Sequence, residues 1–364
     1  MAEFEEAAKE VVEFVKTKAV EIDRNNEMDK SVLEELFGKK LMGVIAPQRY
    51  GGLGMGYVEA SRLVEELAKV SAAVAHSVFV HNIAADAILK FGSEEQKRKY
   101  LKSLTSRKLG AVAITEPSGG SDVANAIKLR AEKKGDKYIM NGTKMFITNS
   151  THADIFIVVA RTGEGRRGLT ALIVEKNDGI EVIKLNPSGM RGSGLGTVRF
   201  KDVEVPEENV LLEEGKGLRV ALGILAPGRI PFAAMGLGIA EGCFEHVLNY
   251  VKKRGAFGQK ILNFQAVQFM LAEVAADIEA TKILIYHAAE LAKENDVTVL
   301  AAMTKLKSAE LAKKVADVAV ELHGGYGILS NTLVDRAYRD AKTLDIAEGT
   351  SEMMKLIISR ALLS

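Results

Sequence analysis

Two short runs carry the residues best suited to chemistry. One is Thr115-Glu116-Pro117-Ser118-Gly119-Gly120-Ser121-Asp122; the other, Asn141-Gly142-Thr143-Lys144-Met145-Phe146-Ile147-Thr148-Asn149, follows it closely. The first mixes hydroxyls with glycines, so its backbone and side-chain donors can approach a flat or anionic ligand. The second reads as a turn at Asn141-Gly142 leading into a short strand that places Phe146 and Thr148 on one face. Exposed hydrogen-bonding groups beside a strand carrying an aromatic ring and a hydroxyl suit an isoalloxazine ring.

Other motifs offer less. The run Gly51-Gly52-Leu53-Gly54-Met55-Gly56 lacks the preceding strand and the lysine of a phosphate loop, so it reads as a turn between helices. The six histidines (His76, His81, His152, His246, His287 and His323) show no metal-ligand spacing, and no metal is expected. The single cysteine, Cys243, excludes an internal disulfide and reads as a small buried thiol on a helix.

The elements that must position these residues follow from patterning. All six prolines lie before residue 232, so the remainder is expected to form long unbroken helices. There Ile239, Cys243, Val247 and Val251 recur every fourth residue, and similar stripes cover 264–291 and 299–322. The runs 155–159, 169–174 and 198–205 are short and β-branched, which predicts a small antiparallel barrel or sandwich. Leu33, Leu36 and Phe37, then Val64, Leu67 and Ala68, return to helical spacing.

Composition narrows the partners. An apolar share of 47% and a charged share of 27% describe a globular protein. A formal net charge of +1 offers no general attraction for nucleic acid or an anionic membrane. No apolar run reads as a membrane span, and the acidic start Met1-Ala2-Glu3-Phe4-Glu5-Glu6 has the wrong sign for a leader. A prokaryotic cytoplasm, or a mature chain whose leader has been removed, is expected.

Taken in order, the motifs resemble the acyl-CoA dehydrogenase family of flavoproteins, most of all its short-chain, butyryl-CoA members. The two opening runs are joined by Gly189-Met190-Arg191-Gly192-Ser193, Val203-Glu204-Val205-Pro206, Arg254 with Phe257-Gly258, and Phe264-Gln265. The segments His323-Gly324-Gly325-Tyr326-Gly327, Tyr338-Arg339-Asp340-Ala341 and Glu348-Gly349-Thr350-Ser351-Glu352 complete the series. The resemblance implies an α+β, predominantly α fold: a helical N-terminal domain (1–112), a central antiparallel β-barrel (113–212) and a C-terminal four-helix bundle (213–364). It also implies FAD, an acyl-CoA substrate of short to medium chain, an electron-transfer flavoprotein as partner, and a homotetramer built as a dimer of dimers, in fatty acid β-oxidation.

Such a reaction removes a weakly acidic α-proton and a β-hydride, so it needs a carboxylate base, a flavin and donors at the thioester oxygen. By resemblance Glu348 is the base, with its own backbone N–H at the thioester oxygen. Alone, Glu-Gly-Thr reads equally as a solvated carboxylate at a helix start with Thr350 and Ser351 as caps. Some family members keep the base just before the arginine equivalent to Arg229, but that position is Gly228 here. By the same resemblance Val112, Ile114, Thr115 and Ser121 line the flavin, Phe146 and Thr148 cover it, and Thr350 and Glu352 reach it. Arg254, Phe257, Phe264, Gln265, Glu321, Gly324 and Gly325 bind FAD across a subunit interface. Ser121, Gly228, Arg229, Ala347 and Gly349 meet the acyl-CoA.

Three departures stand out: Glu321 for a frequent glutamine, Ala226 for an aspartate near the CoA, and Ala347 for an aromatic residue before the base. Losing that ring either enlarges the acyl pocket or is compensated by a bulky neighbour. Two rival functions remain open on the sequence: a flavin oxidase or monooxygenase of the same fold, and a non-enzymatic helical binding protein.

Overall fold

The computed structural model describes residues 1–363; Ser364, the last residue of the expected third domain, lies outside them. Helices α1 (Ala2–Asn25), α2 (Lys30–Gly38), α3 (Tyr57–Ala68) and α4 (Ala72–Phe91) come first. Local signals start two of them. The Asp29 carboxylate accepts from the Ser31 N–H at α2, and the Ser71 hydroxyl accepts from the Val74 N–H at α4.

Eight strands follow: β1 (Gly110–Ala113), β2 (Arg130–Lys134), β3 (Lys137–Ile147), β4 (Ile155–Arg161), β5 (Leu169–Glu175), β6 (Ile180–Lys184), β7 (Gly196–Pro206) and β8 (Val210–Leu211). The chain then returns to helices α5 (Gly217–Val251), α6 (Gln265–Leu291), α7 (Thr298–His323), α8 (Leu333–Thr343) and α9 (Ser351–Leu363). A buried cluster ties three of them together. Glu65 of α3 and Glu241 of α5 share Lys282 of α6, and the Tyr286 hydroxyl donates to Glu65.

The strands do not close into the expected barrel. Their order is β6-β7-β3-β2-β4-β5-β8, with β1 on β4, and the β1–β4 and β2–β4 pairs are parallel. A single residue pair, Arg130 with Arg161, joins β2 to β4, so two lobes fold toward each other without a continuous ladder. Between them Tyr138, Met140, Phe156, Val158, Leu172, Val198 and Phe200 form a core of their own. The opposite faces of β4 and β5, with Ile155, Ile157, Val159 and Ile173, join the helical core. Fully buried on both faces, these strands lose the alternation of a one-sided sheet.

Asn141-Gly142 is not a turn. β3 runs straight through it, and the hairpin turn sits earlier, at Gly135-Asp136, where Gly135 has a positive φ. The register slips between Met140 and Gly142, which marks a β-bulge. Gly142 adopts φ +145°, and a Cβ there would lie 2.8 Å from the Leu129 Cα. Asn141 pins the bulge from the side: its amide donates to the Asp202 carboxylate and its carbonyl oxygen accepts from the Asp202 N–H.

One expectation, that no apolar run could span a membrane, needs correction, and the prolines of α5 are tolerated for a structural reason. Pro227 and Pro231 lie inside α5 and do not break it. Pro227 cannot donate to the Gly223 carbonyl, and the Lys90 ammonium does so instead. Two helices, Ala72–Phe91 and Gly217–Val251, are also long and apolar enough to cross a membrane, yet both are mostly buried within the fold. Cys243 is buried on α5 as expected, and burial pushes its thiol up to about 12.

A side chain at the bulge must clash with the Leu129 backbone. Gly142→Ala should therefore cost about 1–3 kcal/mol in urea unfolding. An unchanged midpoint would mean that the bulge relaxes freely.

Candidate active site

Glu348 sits in the turn between α8 and α9, with φ +56°, and Gly349 follows at φ +94°. A left-handed backbone at a non-glycine residue is uncommon and costs free energy, so the surroundings must hold it. Two cations do. The Arg229 Nε from α5 donates to the Glu348 carbonyl at 3.2 Å, and the Lys305 Nζ from α7 donates to the Gly349 carbonyl at 2.6 Å. The Glu348 Oε2 is shielded from solvent and has no hydrogen-bond partner among the described residues.

Burial raises this carboxyl to about 7, and the nearby charges of Arg229 and Lys305 pull it back only in part. The shielded Oε2 sets Glu348 apart from a fully solvated helix-start carboxylate. Thr350 does act as a cap, its hydroxyl accepting from the Met353 N–H, and Ser351 donates to Asp345. Glu352 is exposed. Burial also lowers Lys305 to about 8, opposed by Asp345 and Glu348.

Gly228 faces α4. A Cβ there would lie 2.6 Å from Ile83 Cδ1, so any side chain at 228 would require Ile83 to shift. Phe79 borders the same spot and packs with Phe232 and His76, ring centroids 5.4 to 6.1 Å apart. His76 is buried with its Nδ1 unpartnered among the described residues, and burial lowers it to about 4, so it stays neutral. Ala347 is half-buried and packs on the helical core. Beyond Phe79 and Ile83 the packing leaves a cavity of only about 10 Å³, bordered by Tyr57, Asn82 and Pro231. On the exposed side of α5, a groove of about 730 Å³ runs past Lys90, Arg219, Leu222, Ala226 and Asp296.

The first sequence motif forms the loop after β1. Val112 is half-buried, Ile114 buried, Thr115 half-buried and Ser121 exposed. A fully buried pair fixes the loop from below. Lys144 donates to the Glu116 carboxylate and the Ile114 carbonyl, while Glu116 also accepts from the N–H groups of Lys128 and Leu129. Burial lowers Lys144 to about 8, its Glu116 partner opposing the shift. At the end of β3, Phe146 has φ +59°, which breaks strand alternation. The expected shared face is absent: Phe146 is 57% exposed and Thr148 is buried. Among the described residues the hydroxyls of Thr115, Ser121 and Thr148 make no hydrogen bond.

The second group is separate. Phe257, 94% exposed, meets Phe264 edge-on, and Arg254 lies over the Tyr326 ring. Gln265, Glu321, Gly324 and Gly325 are exposed nearby in sequence. Nothing in the described residues joins this patch to the Thr115 and Thr148 hydroxyls. Lys305, Lys144 and Glu116 were not singled out by the sequence analysis. Lys305 left one signal, a lysine in the stripe Ala301, Ala302, Ser308, Ala309 and Ala312 that α7 buries.

Three family models match the chain: the acyl-CoA dehydrogenase N-terminal domain over residues 2–108, its middle domain over 111–203 and its C-terminal domain over 215–363. The chain belongs to the acyl-CoA dehydrogenase family. It is an oxidoreductase and flavoprotein of that family. An acyl-CoA dehydrogenase of Bacillus subtilis is 42% identical over 349 residues, covering 94% of this chain and 92% of that one. Butyryl-CoA dehydrogenase from Megasphaera elsdenii superposes with a TM-score of 0.96 at 37% identity, covering 99% and 97% of the two chains. A chain from a structure described as the electron transferring flavoprotein of Acidaminococcus fermentans gives the same score and identity, with 100% and 98% covered.

A carboxyl raised on folding holds its proton more tightly in the native state than in the unfolded chain. Its contribution favours folding below about pH 4.5 and is lost as pH rises through about 7. At pH 8, Glu348→Gln should therefore be more stable than wild type by on the order of 1 kcal/mol, and the gap should shrink on acidification. A variant less stable at pH 8 would place the carboxyl in a solvated site.

Proposed function

We propose that the chain is an FAD-dependent dehydrogenase of short to medium acyl-CoA thioesters, forming the trans-2-enoyl thioester with Glu348 as base. The single observation that carries this reading is the water-shielded Glu348 carboxyl, raised to about 7 between Arg229 and Lys305. A base poised near the working pH combines a deprotonated population with real proton affinity. Its unpartnered Oε2 is the atom to receive the α-proton.

The Glu348 N–H donates to no group among the described residues and is available to the thioester oxygen. FAD, when bound, supplies the acceptor for the β-hydride. The residues on hand fit such a group: the free hydroxyls of Thr115, Ser121 and Thr148, and the exposed ring of Phe146. The Arg254, Phe257 and Phe264 patch suits the dinucleotide end of FAD bound to a second subunit, which the tetramer typical of the family supports. Electron-transfer flavoprotein is the partner we assign, supported by the likeness to the Acidaminococcus chain.

Substrate length follows from packing. Phe79, Ile83 and Phe232 occupy the space beside Gly228 and supply the bulk that Ala347 lacks. Such a wall favours butyryl-sized acyl groups. The groove along α5 suits the CoA moiety, with Lys90 and Arg219 for its phosphates and Ala226 offering no polar contact.

Anaerobic mixing with butyryl-CoA should bleach the flavin of the FAD-loaded protein. Glu348→Gln should keep FAD while losing reduction by at least about 10³-fold. Near wild-type reduction in that variant would move the base elsewhere. Phe79→Ala should itself open the acyl wall and raise kcat/KM for octanoyl- over butyryl-CoA by roughly 10-fold or more. A flat profile would remove Phe79 from the wall. Arg254→Ala should lower flavin content and oligomer size together, measured by absorbance and sedimentation.

A further inference from the structure

Three helices meet at the Glu348-Gly349 turn, and each contributes something different. α5 brings Arg229 to the first carbonyl, α7 brings Lys305 to the second, and α9 begins immediately afterwards with Thr350 as its cap. Lys305 is 1% exposed. An ammonium so deeply buried costs free energy unless it is paired or fully hydrogen-bonded. Its recorded donation is to the Gly349 carbonyl, and no carboxylate lies within ion-pair distance among the described residues. Asp345, the nearest acid in the turn, is already engaged by Lys313, Lys342 and the Ser351 hydroxyl. The core therefore keeps a cation where a methionine would pack more cheaply.

We propose that Lys305 is a positioning residue for the base: its ammonium locks the Gly349 carbonyl, and with Arg229 it fixes the left-handed Glu348-Gly349 pair so that the carboxyl points into the water-shielded site. This rests on the reading of Glu348 as base. The mechanical argument is direct. The positive φ of Glu348 costs free energy and persists when its surroundings hold it, and the carbonyls of Glu348 and Gly349 are each anchored. One anchor comes from each of two helices that pack closely, as the Ser308 hydroxyl of α7 donating to the Ala233 carbonyl of α5 attests. Release of one anchor frees the peptide to rotate, and the carboxyl swings with it.

Lys305 also acts through charge. The charges acting on the Glu348 carboxyl are Arg229 from α5 and Lys305 from α7, while Lys305 in turn feels Asp345 in the turn and Glu352 at the start of α9. Arg229 and Lys305 favour the carboxylate, so removing the Lys305 charge raises the carboxyl further. The deprotonated fraction at neutral pH then falls.

The test compares Lys305→Met, Lys305→Gln and Lys305→Arg in the FAD-loaded protein. In the Met variant, flavin reduction by butyryl-CoA at pH 7 should slow by roughly 10- to 100-fold, with substrate affinity nearly unchanged. The acid limb of its pH profile should move up by roughly one pH unit. The Gln variant keeps a donor without charge, so it should show the shifted limb with a smaller loss in rate. Lys305→Arg should return the limb to its wild-type position. Independently of turnover, amide hydrogen exchange over 346–350 should quicken in the Met variant. An unmoved acid limb in both neutral variants, or unchanged exchange in that segment, would overturn the proposal. Loss of FAD or of the fold in all three would do the same, because it would assign Lys305 to the core at large. If wild type itself is not reduced by any acyl-CoA, the proposed function fails while hydrogen exchange still judges the clamp.

Discussion

A carboxyl oxygen shut away from water, in a turn whose backbone is left-handed, is the constraint on which this structure depends. Neither condition is cheap, and neither is met locally. The Glu348 side chain stays shielded only because α5, α7 and α9 converge on it, and its φ of +56° persists only because cations from α5 and α7 hold the adjoining carbonyls. The length of α5 follows from this need. It must carry Arg229 to the turn, Gly228 to α4 and Glu241 to the polar cluster with α3 and α6. Two prolines inside it are tolerated because neighbours such as Lys90 serve the carbonyl that Pro227 leaves free.

The loop after β1, which we propose holds the flavin, obeys the same logic with different parts. The hydroxyls of Thr115 and Ser121 are left without partners while the loop's underside is tied down by a buried ion pair. Lys144 and Glu116 lie at 0% and 4% exposure, and Glu116 accepts from two backbone N–H groups besides. Breaking one member of such a pair strands the other charge, so the loop is rigid where it is anchored and open where it offers donors. The sheet serves this arrangement by staying open. Its two lobes enclose a small core, and the buried outer face of β4 and β5 fixes the whole unit against the helices.

Much of this was legible in the residues. The fourfold spacing of Ile239, Cys243, Val247 and Val251 announced the buried stripe of α5, and the ordered motifs announced the family. The family resemblance named Glu348 of the Glu-Gly-Thr turn as the base, but its burial and raised pKa arise from helices distant in sequence and could not be read from the residues. Asn141-Gly142 misled for a physical reason: the pair suits a tight turn, but it suits a glycine bulge equally, and only pairing with Asp202 and crowding by Leu129 distinguish them. Lys305 stayed hidden because a lysine on a helix is ordinarily a solvated one. Its place within an alanine-rich stripe was the available hint, and its partner, a backbone carbonyl, leaves no trace in the sequence.

Titration of the Glu348 carboxyl itself tests this account most directly. Infrared difference spectra across pH, taken for wild type and for Glu348→Gln and then subtracted, isolate its protonated-carboxyl stretch. A band that persists through pH 6 and disappears near 7, absent from the variant, is the predicted result. Titration near the ordinary 4.5 would show a solvated carboxylate and contradict the central claim.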